Sequence, residues 1–274
     1  MTQDRSFADF ERAGWEDAAT AADYDRNLSL VTRQSIDALL DAAAVSAGAR
    51  VLDVATGAGY VVEAAASRGA RPLGIDFSDT QVRLARERYP GLQFECANAE
   101  ALPFAEASFD AVVNAFGLCH LPHPAAALGE AIRVLRPGGR VAFSVWDLPE
   151  RAIGFGAVYA AIRAHGSLDV GLPAGPDFFF FSHEENAVEA LRAAGFVSPS
   201  FRVVEQEWRL VDPDALFAMV ATSTVRAAAT LRGQDPAAVP AIRAAVRAAV
   251  MAYRDTEGFA LPMPAVIAAA AKPD

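Results

Sequence analysis

Short apolar runs alternate with segments of helical period along the first half of the chain. The runs are RVLDVA from Arg50, RPLGID from Arg71, LQFECA from Leu92, FDAVVNA from Phe109 and GRVAFSVW from Gly139. Each is brief and nearly continuous in its apolarity, which predicts strands of a parallel sheet buried on both faces. The helical segments carry start and stop signals. Ser78 followed by Gln81 has capping-box spacing, and that helix stops at YPG. Pro124 suits a first helical position, and RPGG at 136–139 is expected to break that helix. Five strands alternating with helices predict βαβ units, an α/β open sheet with helices on both faces.

After Trp146 the rhythm changes. A helix over about 150–165 leads into GSLDVGLPAGPDFFFF, loop-like until its aromatic end. Ser182 and Glu185 repeat the capping-box spacing before ENAVEALRAAGF, and FRVVEQEWRL alternates like one half-exposed strand. Asp212-Pro213 and Asp235-Pro236 each pair an N-cap residue with proline at the next position, predicting Ala-rich helices. GFALPMPAVIAAAAKPD reads as a last strand, and residues 1–48 read as polar helices. The expected organisation is an N-terminal helical cap (1–48), a core (49–211 and 257–274) and a helical insertion over the sheet edge (212–256), a substrate lid.

Composition narrows the function. The net charge is −10, whereas nucleic-acid binding draws on a basic face; no nucleic acid is expected as partner. The most apolar stretch, AVIAAAA, is too short to span a bilayer, and the acidic N-terminus lacks an apolar signal region. A soluble, cytoplasmic protein with no membrane span is expected, as a monomer or homodimer. Cys96 and Cys119 are too few for a disulfide framework and are expected to be buried; no metal-ligand spacing exists, so no metal is expected.

The candidate chemistry lies in VLDVATGAGY, residues 51–60. A strand, a Gly-rich turn and a helix form a nucleotide site at the carboxyl edge of an open sheet. A dinucleotide fingerprint needs a third glycine where Val62 stands, which counts against an NAD-type oxidoreductase. Asp53 precedes the glycines inside the strand. A pyrophosphate would be repelled by that carboxylate, and an ammonium would be attracted. The turn therefore suits a nucleoside that carries an amino-acid group.

These residues resemble motif I of the class I S-adenosylmethionine-dependent methyltransferases. GIDFS at 74–78, CANAEALPFAEASFDAVV at 96–113 and EAIRVLRPGGRVAFSVW at 130–146 resemble that family's later segments in order, within its small-molecule, ubiquinone/menaquinone-methyltransferase-like branch. The resemblance implies a Rossmann-like open sheet, mostly parallel with an antiparallel last strand, and S-adenosyl-L-methionine as cofactor. It implies cofactor contacts from Asp53, Ala55, Thr56, Gly57 and Gly59, with Asp76 on the ribose hydroxyls and Phe77 beside it. Asn98, Ala99 and Glu100 would frame the adenine, Ala115 and Phe116 would lie under the cofactor, and Tyr24 would cover it. The chain departs from the family at Ala55, where glycine is frequent, and at Asn98, where aspartate is frequent.

The implied function is methyl transfer by in-line displacement to a small, apolar or aromatic acceptor. Proximity and desolvation carry such a step, so a base is optional; His120 is the candidate, against a packing role. The alternative is a non-catalytic S-adenosylmethionine-binding or interaction protein on the same fold, which the intact Asp53, Gly57, Gly59 and Asp76 disfavour. Phe178–Phe181 read either as a pocket roof or as buried packing.

Overall fold

The computed structural model describes residues 6–274. Nine strands occur among them: β1 (Arg50–Val54), β2 (Arg71–Asp76), β3 (Gln93–Cys96), β4 (Phe109–Ala115), β5 (Leu135–Trp146), β6 (Val197–Val204), β7 (Glu207–Leu210), β8 (Phe259–Pro262) and β9 (Ala265–Ala271). Seven form one sheet in the order β3-β2-β1-β4-β5-β9-β6, and β7 pairs with β8 in a separate antiparallel ribbon. Strands β1 to β5 are mutually parallel, and β9 runs antiparallel to both β5 and β6. This is the expected Rossmann-like sheet with one reversed strand.

Strand periodicity explains why the sheet needs helices on both faces. On one face Leu52, Val54, Val112, Val141, Phe143 and Ala268 join Leu128 and Leu191 from helices Pro124–Val134 and Glu184–Ala193. On the other, Val51, Ala111, Val113, Ala142 and Ile267 meet Leu39, Leu40, Val61 and Ala65 from helices Ile36–Ala42 and Tyr60–Ser67. Alternate residues of one strand thus feed two cores.

The chain divides into two compact units. One comprises residues 32–146, 175–204 and 265–274 and holds the seven-stranded sheet. The other comprises 147–174, 205–264 and the residues before 32. Its elements are the β7–β8 ribbon and helices Phe7–Glu16, Ala18–Asn27, Ile153–His165, Ala215–Ser223, Arg226–Arg232 and Val239–Met251. These divisions fall elsewhere than at 48, 211 and 256.

Several local expectations are corrected. FRVVEQEWRL is two strands, β6 and β7, in different sheets; Gln206 between them is buried and gives its side-chain amide to Val31 O at 2.9 Å. The last strand is likewise two, β8 and β9, separated by Met263 and Pro264. Pro262 and Pro264 have no N–H for a ladder, and that interrupts the run. RPGG does not stand outside the sheet: β5 starts at Leu135, with an irregular register against β4 between Phe109 and Ala111. Ser182 does not cap the helix after it, because its hydroxyl donates to Trp146 O at 2.7 Å. Asp212 and Asp235 each accept the N–H two residues on, from Asp214 and Ala237, both at 2.9 Å. Such Asx turns precede helices rather than cap them, so those helices begin at Ala215 and Val239. Cys119 is buried, but Cys96 is exposed, because β3 is an edge strand.

Candidate cofactor site

In the strand order β3-β2-β1-β4, successive crossovers leave β1 in opposite directions, toward β2 on one side and β4 on the other. Ligands of open α/β sheets bind at the carboxyl ends of the strands flanking such a switch point. The turn after β1 lies there.

Ala55, Gly57 and Gly59 have φ of +58°, +52° and +86°, so the turn alternates through the left-handed region. A side chain at Gly59 would come within 2.8 Å of the Phe94 ring, whereas at Gly57 the nearest atom is Gln81 Oε1 at 3.9 Å. Gly59 is thus required by packing, while Gly57 borders open space. The turn is secured by Thr56, whose N–H donates to Ile75 O at 2.9 Å. The Thr56 hydroxyl donates to Asp53 Oδ2 at 2.6 Å.

Asp53 is 1% exposed, and its second oxygen, Oδ1, has no hydrogen-bond partner in the structure. Burial pushes its pKa up to about 7; the neighbouring Asp76 charge adds to the rise and the Thr56 hydrogen bond opposes it. A buried carboxylate oxygen without a donor is costly unless something cationic or hydrogen-bonding satisfies it. Asp76, at the end of β2, accepts N–H groups from Gly57 and Ser78, each at 3.0 Å.

The other expected residues of this unit follow along the same edge. Phe77 lies next to Asp76, and its carbonyl accepts from Cys96 Sγ at 3.3 Å. Cys96 pairs with Asp76 in register, which brings Asn98 close by. Asn98 Oδ1 accepts the Glu100 N–H at 3.0 Å, a local turn, and Glu100 Oε1 accepts the His123 N–H at 2.7 Å. Ala99 between them is buried. At the end of β4, Ala115 is half-buried, and Phe116 just after it is buried. Phe116 has φ of +57°, and its ring centroid is 4.4 Å from that of Trp146. A left-handed backbone in so bulky a residue is strained, and such strain gathers at functional turns. His120 ends a short 3₁₀ turn, its ring edge-on to Phe178 at 5.4 Å. Phe181 packs on Phe143 in the core while Phe180 is exposed, so the four phenylalanines divide between settings. Tyr24 belongs to the other unit, where its ring meets Trp15 edge-on at 5.3 Å.

Sequence reasoning passed over Asn114. Its amide donates to Val54 O at 2.9 Å, and its Oδ1 accepts from Gly117 N at 3.0 Å and Leu118 N at 2.8 Å. It therefore ties the turn after β4 to the end of β1. The available signal was one amide within the apolar run FDAVVNA.

A glycine turn with an acid before it, at the switch point of a parallel sheet, defines a nucleoside-binding α/β protein. Comparison with known proteins carries the assignment further. Residues 52–143 match the methyltransferase domain family. The chain is 35% identical to demethylmenaquinone methyltransferase of Clavibacter sepedonicus over 179 residues, covering 59% of this chain and 71% of that protein. It is 39% identical to the same enzyme of Renibacterium salmoninarum over 118 residues, covering 43% of this chain and 50% of that one. A ubiquinone/menaquinone biosynthesis C-methyltransferase of Geobacter sulfurreducens is 36% identical over 124 residues, covering 42% and 48%. The chain thus spans about half the length of the last two relatives. Among solved structures, phosphoethanolamine N-methyltransferase 2 of Haemonchus contortus, with S-adenosylhomocysteine, superposes with a TM-score of 0.59 at 17% identity. That match covers 98% of this chain and 61% of the other. YcgJ of Bacillus subtilis gives 0.56 at 20% identity, covering 88% and 98%. The structural likenesses establish the fold. The chain belongs to the class I S-adenosylmethionine-dependent methyltransferases, in the branch of the menaquinone and ubiquinone enzymes, and S-adenosylmethionine is the cofactor of that family.

Proposed function

We propose that the protein transfers a methyl group to a small aromatic acceptor, with a quinol ring as the favoured class. The observation that carries the cofactor half is the partnerless Asp53 oxygen, buried beside a glycine turn bonded to Asp76. The acceptor half draws on the relatives named demethylmenaquinone methyltransferase. When bound, S-adenosylmethionine supplies an electrophilic methyl on its sulfonium. Asp53 offers its free oxygen to the ammonium, and Asp76, at the end of β2 beside the glycine turn, accepts from the ribose hydroxyls. Asn98 keeps its side-chain amide for the base. Ala115 and Phe116 form an apolar wall that keeps water from the reacting centre.

The test begins with thermal unfolding of wild type and Asp76→Ala in the presence of S-adenosylhomocysteine or NAD. A ligand at about 100 times its Kd adds about 2.7 kcal/mol, several degrees for a protein of this size. The expected result is a shift with the adenosyl ligand that the variant loses, and none with NAD. Labelled-methyl transfer is then measured with a reduced demethylated naphthoquinone and with phosphoethanolamine. Binding without transfer to the quinol would overturn the acceptor assignment and leave the cofactor site standing.

A further inference from the structure

The amino ends of β1, β2, β3 and β4, opposite the glycine turn, border a cleft of about 710 Å³. That volume suits a small organic molecule. Its apolar surfaces are Leu73, Leu92, Phe104 and Phe109, and its charged lining residues are Arg50 and Arg71; no acidic residue lines it. In a chain of net charge −10, this lining carries positive charge alone.

The arginines are placed by the sheet. Arg50 and Arg71 are register partners in the parallel β1–β2 pair, so their backbones are adjacent. The Arg50 guanidinium stands over the Phe109 ring at 5.6 Å. Asp110, the nearby acid, is already engaged: Oδ1 pairs with Arg136 at 2.7 Å and Oδ2 accepts the Arg50 backbone N–H at 2.6 Å. Neither the Arg50 nor the Arg71 side chain takes part in a salt bridge among the described residues.

The opposite wall, residues 103–108, is held in shape. Arg133 donates to Phe104 O at 2.7 Å and Leu102 O at 2.9 Å while paired with Glu130 at 2.7 Å. Ser108 N donates to Val134 O at 2.7 Å, and the Phe104 and Phe109 rings meet edge-on at 5.2 Å. A wall anchored in this way loses little freedom when a ligand docks.

We propose that this cleft is a second ligand site, separate from the cofactor site, for an amphipathic carboxylate. The ligand's apolar body lies on Phe104, Phe109 and Leu92, and its carboxylate reaches the Arg50–Arg71 pair. Guanidinium groups bind carboxylates through paired N–H donors, which gives charge and geometry together. The proposal does not rest on the identity of the methyl acceptor.

The probe is 2-naphthoate, with neutral 2-naphthamide as control, titrated by calorimetry into wild type, Arg50→Gln/Arg71→Gln and Gly91→Trp. Gly91 lines the cleft, and a Cβ placed there meets no atom within 4 Å, so a tryptophan can be introduced at the cleft without displacing the core. Naphthoate is expected to bind wild type at least about tenfold more tightly than the amide, as a charge-assisted pair requires. The double variant should lose that preference, and Gly91→Trp should lose both ligands. The thermal shift given by S-adenosylhomocysteine should be equal in all three proteins, which certifies their folding. Absence of naphthoate binding, or binding equal in wild type and both variants, overturns the proposal. The latter outcome would place the probe elsewhere, in the acceptor pocket for instance.

Discussion

Asp76 Oδ2 accepts the N–H of Gly57 at 3.0 Å, joining the ends of β1 and β2 across 19 residues of sequence. Its other oxygen holds Ser78 N at 3.0 Å, so one carboxylate shapes both the glycine turn and the start of helix Asp79–Arg88. Asp76→Ala leaves two N–H groups without acceptors. Each such loss costs about 1–3 kcal/mol when buried, so urea unfolding should show a destabilised apo protein. Asp76→Asn should recover part of that stability and still bind S-adenosylhomocysteine at least about tenfold more weakly, since one oxygen becomes a donor facing a donor. Full affinity in Asp76→Asn would remove Asp76 from the cofactor site.

Asp53 imposes a pH dependence with a definite sign. Its native pKa is pushed up to about 7 by burial, against about 3.9 in an unfolded chain. Between those values the native state holds a proton that the unfolded state has lost, so this group's contribution to stability falls as pH rises from about 4 to 7. The whole effect is on the order of 4 kcal/mol. The difference between wild type and Asp53→Asn, followed by urea unfolding from pH 4 to 8, isolates it. The variant should be the more stable protein at pH 8 and should have the flatter curve; parallel curves would contradict the assignment.

Under the proposed contact between Asp53 and the ammonium, the same proton competes with the cofactor. An ammonium favours ionised Asp53, so S-adenosylhomocysteine affinity should weaken by up to about tenfold per pH unit below 7. Calorimetry at pH 6 in two buffers of different ionisation enthalpy should show proton release on binding. No release would mean that the ammonium lies away from Asp53.

Ala55 and Gly117 form a coupled pair. Ala55 sits at φ of +58°, and a Cβ on Gly117 would lie 2.5 Å from its methyl group. Ala55→Gly removes left-handed strain at some cost in chain entropy, for a net stabilisation of about 0.5–1 kcal/mol. Gly117→Ala overpacks the turn and should cost about 1–3 kcal/mol. Combined, the substitutions should cost less than their sum, a coupling readable in a double-mutant cycle. Strict additivity would show that the two turns move apart freely.

His120→Ala should lower the melting temperature through loss of the edge-on contact with Phe178, which is worth about 0.5–1.5 kcal/mol for rings in this arrangement. The turnover number in the labelled-methyl assay should change less than tenfold. A loss of a hundredfold or more, with one limb gone from the pH–rate profile, would instead make His120 the general base.

The sheet was legible because its central strands are buried on both faces, and that requirement writes itself as nearly continuous apolar runs such as FDAVVNA. The glycine turn was legible because Gly59 and Asp53 satisfy chemical demands few other residues meet. The breaks after Val204 and Pro262 were not, since alternation continues across a change of sheet partner and only EQE and PMP mark the points of departure. Asn114 escaped notice for a related reason. An amide within a strand looks like a flaw until the carbonyl of Val54 and the N–H groups of Gly117 and Leu118 are found around it.

Strand β9 follows every other strand in sequence yet lies inside the sheet, between β5 and β6. During synthesis on the ribosome, β1 to β5 emerge in an order that lets them zip together as they appear. The open edge of β5 then waits while about 120 further residues are made. Residues 265–271 close it, and only then does β6 gain its neighbour. A nascent chain stalled before Ala265 would carry two unpaired strand edges, the surfaces by which partly made proteins aggregate. Closure of the sheet thus waits on residues 265–271, the shared partner of β5 and β6.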